Sequence, residues 1–290
     1  MMTDSKERTG RQTVRGGRRG ALAALALGLA LPGAVTARGS AMAVAPPPIV
    51  ATIPVGAHPV AVALNPATHH AYVANFDNDN VLVIDTIRNA VLATIAVGKG
   101  PAAVALDPAA HRAYVVNSGD NTVSVLDTRL TSVLVTIPVG AYPDAVALDP
   151  AAHRAYVVNG TSNSVSVLNT SHDAVVATIP VGSAPGDVAV DLAAHRAYVT
   201  NDYDSSVSVI DTSRNAVLAT IAVGDNPYAV ALDPVAHRAY VANAGDSTVS
   251  VLDASRDADL DARRRSHRPS PRPDRLAASP DQRADRNLHL

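Results

Sequence analysis

The sequence lacks cysteine and tryptophan altogether, and its 290 residues include one phenylalanine and one glutamate, Glu7. The absence of cysteine excludes a disulfide framework, a thiolate metal site, an iron–sulfur cluster and a cysteine nucleophile. Any catalytic carboxylate pair would have to consist of aspartates, because the one glutamate lies near the start of the chain. No apolar run reaches the about 18 residues that a membrane-spanning helix needs.

Basic residues are scarce in the middle of the chain. Residues 48–255 carry 8 Lys and Arg against 18 Asp, although the whole chain has 24 Lys and Arg. A surface of this charge disfavours binding to nucleic acid. The apolar content of 47% is enough for a sizeable core, so disorder of the whole chain is excluded.

The first part of the chain has the layout of a secretory signal. Residues 1–20 are polar and rich in arginine, residues 21–31 are apolar, and a run of small residues follows. Cleavage is expected after Ala37 or Ala43, so the predicted signal spans residues 1–43. The mature protein is therefore predicted to have no transmembrane span and to be secreted or located at the cell surface.

The route of export is left open by the residues themselves. Arg18 and Arg19 precede the apolar run as in a twin-arginine signal, but the residues after the pair match that pattern only in part, so the Sec route is an alternative. An uncleaved membrane anchor is disfavoured because 11 apolar residues are too few to span a bilayer.

The end of the chain differs in composition from the middle. Residues 256–290 contain 9 Arg and almost no apolar residues after Leu260. Such a segment cannot bury a core, so residues 258–290 are predicted to be a disordered tail. Two interpretations remain: a basic tail that contacts an anionic cell-wall or membrane surface, or the product of a shifted reading frame in a GC-rich gene.

Internal repetition dominates residues 48–257. Glycine, proline, tyrosine and asparagine each recur at a constant spacing of 42 residues, with no insertion in any unit. The positions are Gly56, Gly98, Gly140, Gly182 and Gly224; Pro59, Pro101, Pro143, Pro185 and Pro227; Tyr72, Tyr114, Tyr156, Tyr198 and Tyr240; and Asn75, Asn117, Asn159, Asn201 and Asn243.

Each unit predicts four short strands. In the second unit, β-branched and alanine-rich runs occupy residues 90–98, 102–108, 112–117 and 122–128, separated by turn residues. The runs are apolar on both faces, so each four-stranded sheet needs other sheets on both sides. Radial stacking of the sheets, as in a β-propeller, supplies that cover. The second run of each unit is the richest in alanine and is predicted to be the innermost strand.

The repeat also resembles a known family. Residues 198–201 read YVTN, residues 72–75 and 240–243 read YVAN, and residues 114–117 and 156–159 read YVVN. The chain is similar to YVTN-family β-propeller proteins over residues 49–257. This resemblance implies an all-β propeller of four-stranded blades and an exported or surface-layer location, and it assigns no activity.

The phase of the repeat predicts how the ring closes. The first run, residues 49–55, matches the outermost strand of a blade, and the last run, residues 248–253, matches the third strand. The N-terminal strand is therefore expected to complete the last of five blades and to cover its edge. The alternative is an open partial ring that associates with itself.

The loops of an up-and-down sheet separate into two faces. The loops after the first and third strands barely vary between units, whereas those after the second and fourth strands vary strongly and contain all four aromatic residues outside the repeated tyrosines. Aromatic rings with carboxylates are typical of surfaces that recognise a glycan, a peptide, a cationic group or a divalent ion. The candidate ligand-binding residues are His58, Phe76, Asp77, Asp79, Tyr142, Asp144, Asp202, Tyr203, Asp204, Asp225 and Tyr228. For any single aspartate, closure of a turn is the alternative role.

Little in the sequence supports catalysis. No nucleophile elbow or phosphate-binding glycine loop is present, and the constant spacing leaves no insertion to build a lid. One histidine recurs in each invariant turn, and this periodicity indicates a framework role better than a metal site, so no metal or other cofactor is predicted. These histidines are His69, His111, His153, His195 and His237.

The favoured interpretation is an exported β-propeller that serves as a binding or structural module with an unidentified surface ligand. The alternative is a propeller enzyme of the lactonase or quinone-dependent dehydrogenase type, which rests on analogy of fold alone. A third possibility, a degenerate gene product without function, rests only on the unusual tail.

Overall fold

The computed structural model describes residues 47–255. The predicted signal and the predicted tail lie outside the described residues, so export and the domain boundaries remain predictions. Within the described range, no helix has the length and apolar character needed to cross a membrane.

The described residues form five antiparallel sheets, each built from strands that follow one another in the sequence. We call each sheet a blade. The first two blades consist of β1 (Pro59–Asn65), β2 (His70–Asn75), β3 (Asn80–Asp85) and β4 (Ala90–Ala96), and of β5 (Pro101–Asp107), β6 (Arg112–Asn117), β7 (Thr122–Asp127) and β8 (Ser132–Pro138). The next two consist of β9 (Pro143–Asp149), β10 (Arg154–Asn159), β11 (Ser164–Asn169) and β12 (Ala174–Pro180), and of β13 (Pro185–Asp191), β14 (Arg196–Asn201), β15 (Ser206–Asp211) and β16 (Ala216–Ala222). The fifth consists of β17 (Pro227–Asp233), β18 (Arg238–Asn243) and β19 (Thr248–Asp253).

The blades stand side by side and fan outward. The first strands of successive blades, β1, β5, β9, β13 and β17, pack against one another, whereas the outermost strands β4, β8, β12 and β16 meet only at a few residues. Alanine-rich first strands permit this close approach because small side chains leave room where the sheets converge. The predicted all-β architecture, the four-stranded blades and the assignment of the innermost strand are confirmed.

The core lies between neighbouring blades. Tyr156, for example, is fully buried between the third and fourth blades, where it joins a cluster that includes Val167, Ile179 and Val199. Tyr72, Tyr114 and Tyr198 are also fully buried. Burial raises the pKa of the Tyr72, Tyr114 and Tyr156 phenols, because desolvation disfavours the charged form.

The repeated asparagine and glycine form a clamp in each blade. Asn201 is fully buried, and its Nδ2 donates hydrogen bonds to the hydroxyls of Ser206 and Ser208, both at 3.0 Å. A Cβ at Gly182 would lie 2.5 Å from the Asn201 Cγ, so only glycine fits against this side chain. The equivalent contacts recur between the other glycines and asparagines of the repeat. The clamp explains why both the glycine and the asparagine are present in every unit, each at a spacing of 42 residues.

The repeated histidines belong to tight turns on the invariant face. All five have positive φ angles between 51° and 56°, so each adopts the left-handed conformation that ends the turn. Their backbone carbonyls, and not their rings, tie this turn to the next one on the same face. His111 O accepts the N–H of Thr128 at 3.0 Å, and His153 O accepts the N–H of Thr170 at 3.0 Å.

The fifth blade corrects one expectation. It has three strands, in the order β17, β18, β19, and residues 49–55 form no strand. Instead of pairing with β19, this segment places Ile53 and Val55 on the outer face of the first blade. Partial burial of these two side chains holds the segment against the first blade, at the start of the arc that the five blades form. In the described part of the chain, the N-terminal run does not complete the last blade.

Candidate functional site

The variable loops lie together at one end of the strands, as predicted. We call this surface the loop face; it comprises the loops before each first strand (57–58, 97–100, 139–142, 181–184 and 223–226) and those after each second strand (76–79, 118–121, 160–163, 202–205 and 244–247). Backbone hydrogen bonds join the two kinds of loop within a blade. For example, Ser118 N donates to Gly100 O at 2.9 Å and Gly160 N donates to Tyr142 O at 2.8 Å.

Side chains add a second tie within each blade. The N–H of Lys99 donates to Asp120 Oδ2 at 2.8 Å, and the N–H of Ser183 donates to Asp204 Oδ2 at 2.6 Å. In the fifth blade the Thr248 hydroxyl donates to Asp246 at 2.7 Å, and Asp246 also accepts the N–H of Asp225 at 3.1 Å. These bonds hold the pKa of Asp246 below its usual value. Carboxylates therefore fasten the loops to each other.

Further ties connect neighbouring blades. Gly100 N donates to Asp79 Oδ1 of the preceding blade at 2.8 Å, and Tyr142 N donates to Asn121 Oδ1 at 2.8 Å. The Ser205 hydroxyl donates to Asp225 Oδ1 at 3.2 Å across the fourth and fifth blades. Asp79, Asp204 and Asp225 thus make structural hydrogen bonds in addition to the ligand contacts predicted for them. The loop face is fixed in shape by these bonds.

Two candidate aromatic side chains project from this fixed surface. Tyr203 is 76% exposed in a short 3-10 turn, Asp202–Asp204, and Tyr142 is 43% exposed. Tyr142 has a φ of 52°, in the left-handed region that bulky residues rarely adopt. The equivalent positions hold His58, Gly100, Ala184 and Asn226. A tyrosine at this position costs about 1 kcal/mol of backbone strain, a feature that is common at functional sites.

Three further candidate residues, His58, Phe76 and Asp77, lie close together on the first blade. The His58 and Phe76 rings lie 5.4 Å apart between centroids, and His58 Nδ1 lies 3.4 Å from Asp77 Oδ1. Phe76 begins the other 3-10 turn, Phe76–Asn78. Tyr228, the second residue of β17, is partly buried. The candidate residues therefore occupy the same end of the fold in groups on different blades.

Asp144 and Asp202 each lie against a glycine of their own blade. A Cβ at Gly160 would lie 2.7 Å from Asp144 Oδ2, and a Cβ at Gly186 would lie 2.8 Å from Asp202 Oδ1. Asp202 is 4% exposed. At the position of Gly186 the other units have valine, alanine, aspartate or tyrosine. Glycine at these positions makes the space that the two carboxylates fill.

Sequence reasoning missed Asp187 on the innermost strand β13. The other four units have alanine at this position, Ala61, Ala103, Ala145 and Ala229. The Asp187 carboxylate accepts the N–H of Val188 at 2.8 Å and the N–H of Val230 in the next blade at 3.0 Å.

A second departure from the repeat accompanies Asp187. Thr200 is the threonine of the YVTN motif, and its hydroxyl accepts the Asp187 N–H at 3.0 Å. The other four motif copies have alanine or valine at this place. The sequence does contain a signal for this pair: within one unit, two polar residues stand at positions where the other units have apolar residues.

Asp187 should make stability depend on pH. Burial raises its pKa above the usual value of 3.8, so the folded state holds the proton more tightly than the unfolded state does. This contribution to stability is present at low pH and is lost as pH rises through the raised pKa. We expect Asp187→Ala to become more stable relative to the wild type as pH rises from about 4 to neutral. Melting temperatures of both proteins across this range test the prediction, and a melting temperature of Asp187→Ala that falls relative to that of the wild type as pH rises would contradict it.

The groove that the structure describes lies apart from the candidate residues. A groove of about 530 Å³ lies beside the third blade, lined in part by Gly140, Asn163, Ser166 and Thr178, and it includes none of the candidate residues. Within residues 47–255, no group of three or more histidine, aspartate or glutamate side chains is placed to hold a metal ion.

Comparisons with known proteins support the fold alone. A functionally unknown protein from Desulfotomaculum acetoxidans has a TM-score of 0.56 at 17% identity, with 66% of this chain and 68% of that chain covered. Hydrazine synthase from Kuenenia stuttgartiensis has a TM-score of 0.46 at 19% identity, with 67% of this chain and 83% of that chain covered. No protein-family profile and no curated protein matches the sequence. The fanned sheets and the likeness to the Desulfotomaculum acetoxidans protein together describe a repeat fold of β-propeller-like type.

Proposed function

We propose that this protein is an exported YVTN-type β-propeller module that binds a surface ligand through the loop face. The observation that carries the proposal is Tyr142, an exposed aromatic residue kept in a left-handed conformation on a surface of hydrogen-bonded loops. Strain of this kind has no benefit for folding, because asparagine or glycine is better suited to the position. A contact with a ligand gives the tyrosine a reason to be there.

The charges of the loop face restrict the ligand. Its loops carry many aspartates and one basic residue, Lys99. Carboxylates accept hydrogen bonds from hydroxyl and amino groups, and an aromatic face packs on a sugar ring or a cation. Anionic ligands would be repelled. The chemistry fits a hydroxylated glycan, or a peptide with cationic groups, on a cell surface.

Rigidity of the surface supports binding in a preformed site. The loops are tied both within and between blades, so few backbone torsions need to be ordered when a ligand arrives. Lower ordering cost leaves more of the contact energy as affinity. The proposed location outside the cell rests on the signal-like residues 1–43.

Mutation of the three candidate tyrosines should weaken binding and leave the fold intact. Each replacement is taken from the repeat itself: Tyr142→Asn copies Asn226, Tyr203→Thr copies Thr161 and Tyr228→Ala copies Ala102. After a ligand is found on a glycan and peptide array, we expect the triple variant to bind it at least about tenfold more weakly, because aromatic anchors dominate such contacts. Relief of strain at position 142 should offset part of the burial lost at position 228, so the melting temperature should change little.

The control is a substitution on the opposite face. Val235 is 91% exposed in an invariant-face turn where other units have alanine, so Val235→Ala should leave binding unchanged. Salt dependence separates the two ligand classes, since binding of a cationic peptide weakens with ionic strength and binding of a neutral glycan does not. Unaltered affinity in the triple variant would refute the proposed site.

A further inference from the structure

The outer face of the first blade exposes apolar side chains whose equivalents in the later blades are buried or partly buried. Val62 is 55% exposed, whereas its equivalents Val104, Val188 and Val230 are between 5% and 8% exposed. Leu64 is 62% exposed in the same strand, β1. In the later blades this face is covered by the preceding blade. The first blade has no such cover among the described residues.

The outer face of the last blade exposes the side chains that, in the earlier blades, pack against the next blade. Val249 is 61% exposed and Val251 is 47% exposed, whereas the valines at the equivalent positions of the first four blades are fully buried. Tyr240 is 39% exposed, although the other four repeated tyrosines are fully buried. Each end of the arc therefore presents one half of a contact that the chain makes four times internally.

The N-terminal segment, residues 48–54, extends the exposed surface of the first blade. Residues 48–54 are the repeat equivalents of β4, and Ile53 and Val55 lie on the first blade as Ile95 and Val97 lie on the second. The segment thus occupies the place of an outermost strand, and the rest of that strand's blade is not found beside it among the described residues. The last blade has a third strand, β19, whose outer edge has no strand beside it within the described residues.

We propose that two copies of this chain associate head to tail, with the last blade of one copy packed on the first blade of the other. Residues 48–54 of the second copy then pair with β19 of the first and form its fourth strand. In the first blade, Val81 pairs with Ile95 and Val83 with Ala93. The equivalent register places Val249 of one copy opposite Ile53 of the other, and Val251 opposite Ala51.

A second copy fits both ends without any change in the chain. Closure within one chain would require the first and last blades to come together, and these blades leave their apolar faces exposed instead. The segment that would supply the fourth strand packs on the first blade of its own chain through Ile53 and Val55, and through Gly56 N, which donates to Asn75 Oδ1 at 3.2 Å, so it is already in place for the β19 of a second copy. Both surfaces are already shaped for each other, because the same surfaces pack inside the arc. A head-to-tail contact uses two different surfaces and is therefore heterologous.

Cysteine pairing tests the proposal directly, because the full chain has no cysteine of its own. Ala51→Cys and Val251→Cys are made as separate variants, mixed and mildly oxidised. Residues opposite each other on antiparallel strands are close enough for a disulfide. The mixture should yield at least about tenfold more linked dimer than a mixture of Ala51→Cys and Val235→Cys, because association raises the effective concentration of the two thiols.

A chain with both cysteines distinguishes the possible partners. Linked oligomers are expected if two copies meet, whereas a linked monomer would show that the chain closes on itself and would overturn the proposal. Independently, the cysteine-free chain should sediment as an oligomer, and Val249→Asp should convert it to a monomer because a charge on a strand edge prevents pairing. Since Val249 is exposed in the single chain, this variant should keep its circular dichroism spectrum. A monomeric wild type at about 10 µM would also overturn the proposal, because stable interfaces persist at such concentrations.

Discussion

Replacement of Tyr156 by alanine should lower the free energy of unfolding by about 3–5 kcal/mol. The tyrosine ring is fully buried between the third and fourth blades, in contact with residues from both. Its removal loses apolar burial and leaves a cavity that two rigid sheets cannot close. Urea denaturation followed by circular dichroism measures the change, and the midpoint should fall without a large change in slope.

Tyr240→Ala is the matched control for this prediction. The residue has the same place in the repeat, but it is 39% exposed because no later blade covers it. Its truncation should cost about 2–3 kcal/mol, in proportion to the smaller area that it buries. Equal losses in the two variants would show that the tyrosine acts within its own sheet and not between blades.

Replacement of Asn201 by alanine should cost about 2–4 kcal/mol, because two buried hydroxyls lose their donor and a cavity forms. The hydroxyls are those of Ser206 and Ser208. Gly182→Ala should cost about 1–3 kcal/mol for the opposite reason, since its new Cβ would overlap the asparagine side chain.

The double variant tests whether the two residues act as a unit. Once Asn201 is alanine, the methyl group of Gly182→Ala has space to enter. The combined loss should therefore be smaller than the sum of the single losses by about 1–2 kcal/mol. Strict additivity in urea denaturation would refute the clamp, and a parallel cycle at Gly140 and Asn159 should reproduce the coupling because the same contact recurs there.

The sequence predicted where the candidate residues lie better than it predicted which of their carboxylates make structural hydrogen bonds. The turn residues and the variation between units placed the loops of Phe76, Tyr142 and Tyr203 on one face, because an up-and-down sheet leaves no other arrangement. The same reasoning could not tell which carboxylates would fasten loops. Asp79 and Asp204 meet backbone amides 21 residues away, and such contacts depend on the separation of neighbouring loops in space.

Asp187 is a departure from the repeat whose structural role depends on the tertiary structure. In the sequence it is one aspartate among 18 in the acidic middle of the chain. The fold places it on an innermost strand, next to Thr200 and across from the backbone of the fifth blade. Its raised pKa is a consequence of burial between blades, which the sequence does not specify.

The sequence by itself determined the unit of this protein: a sheet of short strands, apolar on both faces, with glycine, tyrosine and asparagine at 42-residue spacing. Periodicity and turn chemistry are local properties, so they can be read without coordinates. Only the tertiary structure decided how the ends of the arc are arranged. That outcome depends on how successive blades pack against one another and on which apolar face the N-terminal segment covers, and neither is encoded in any single repeat.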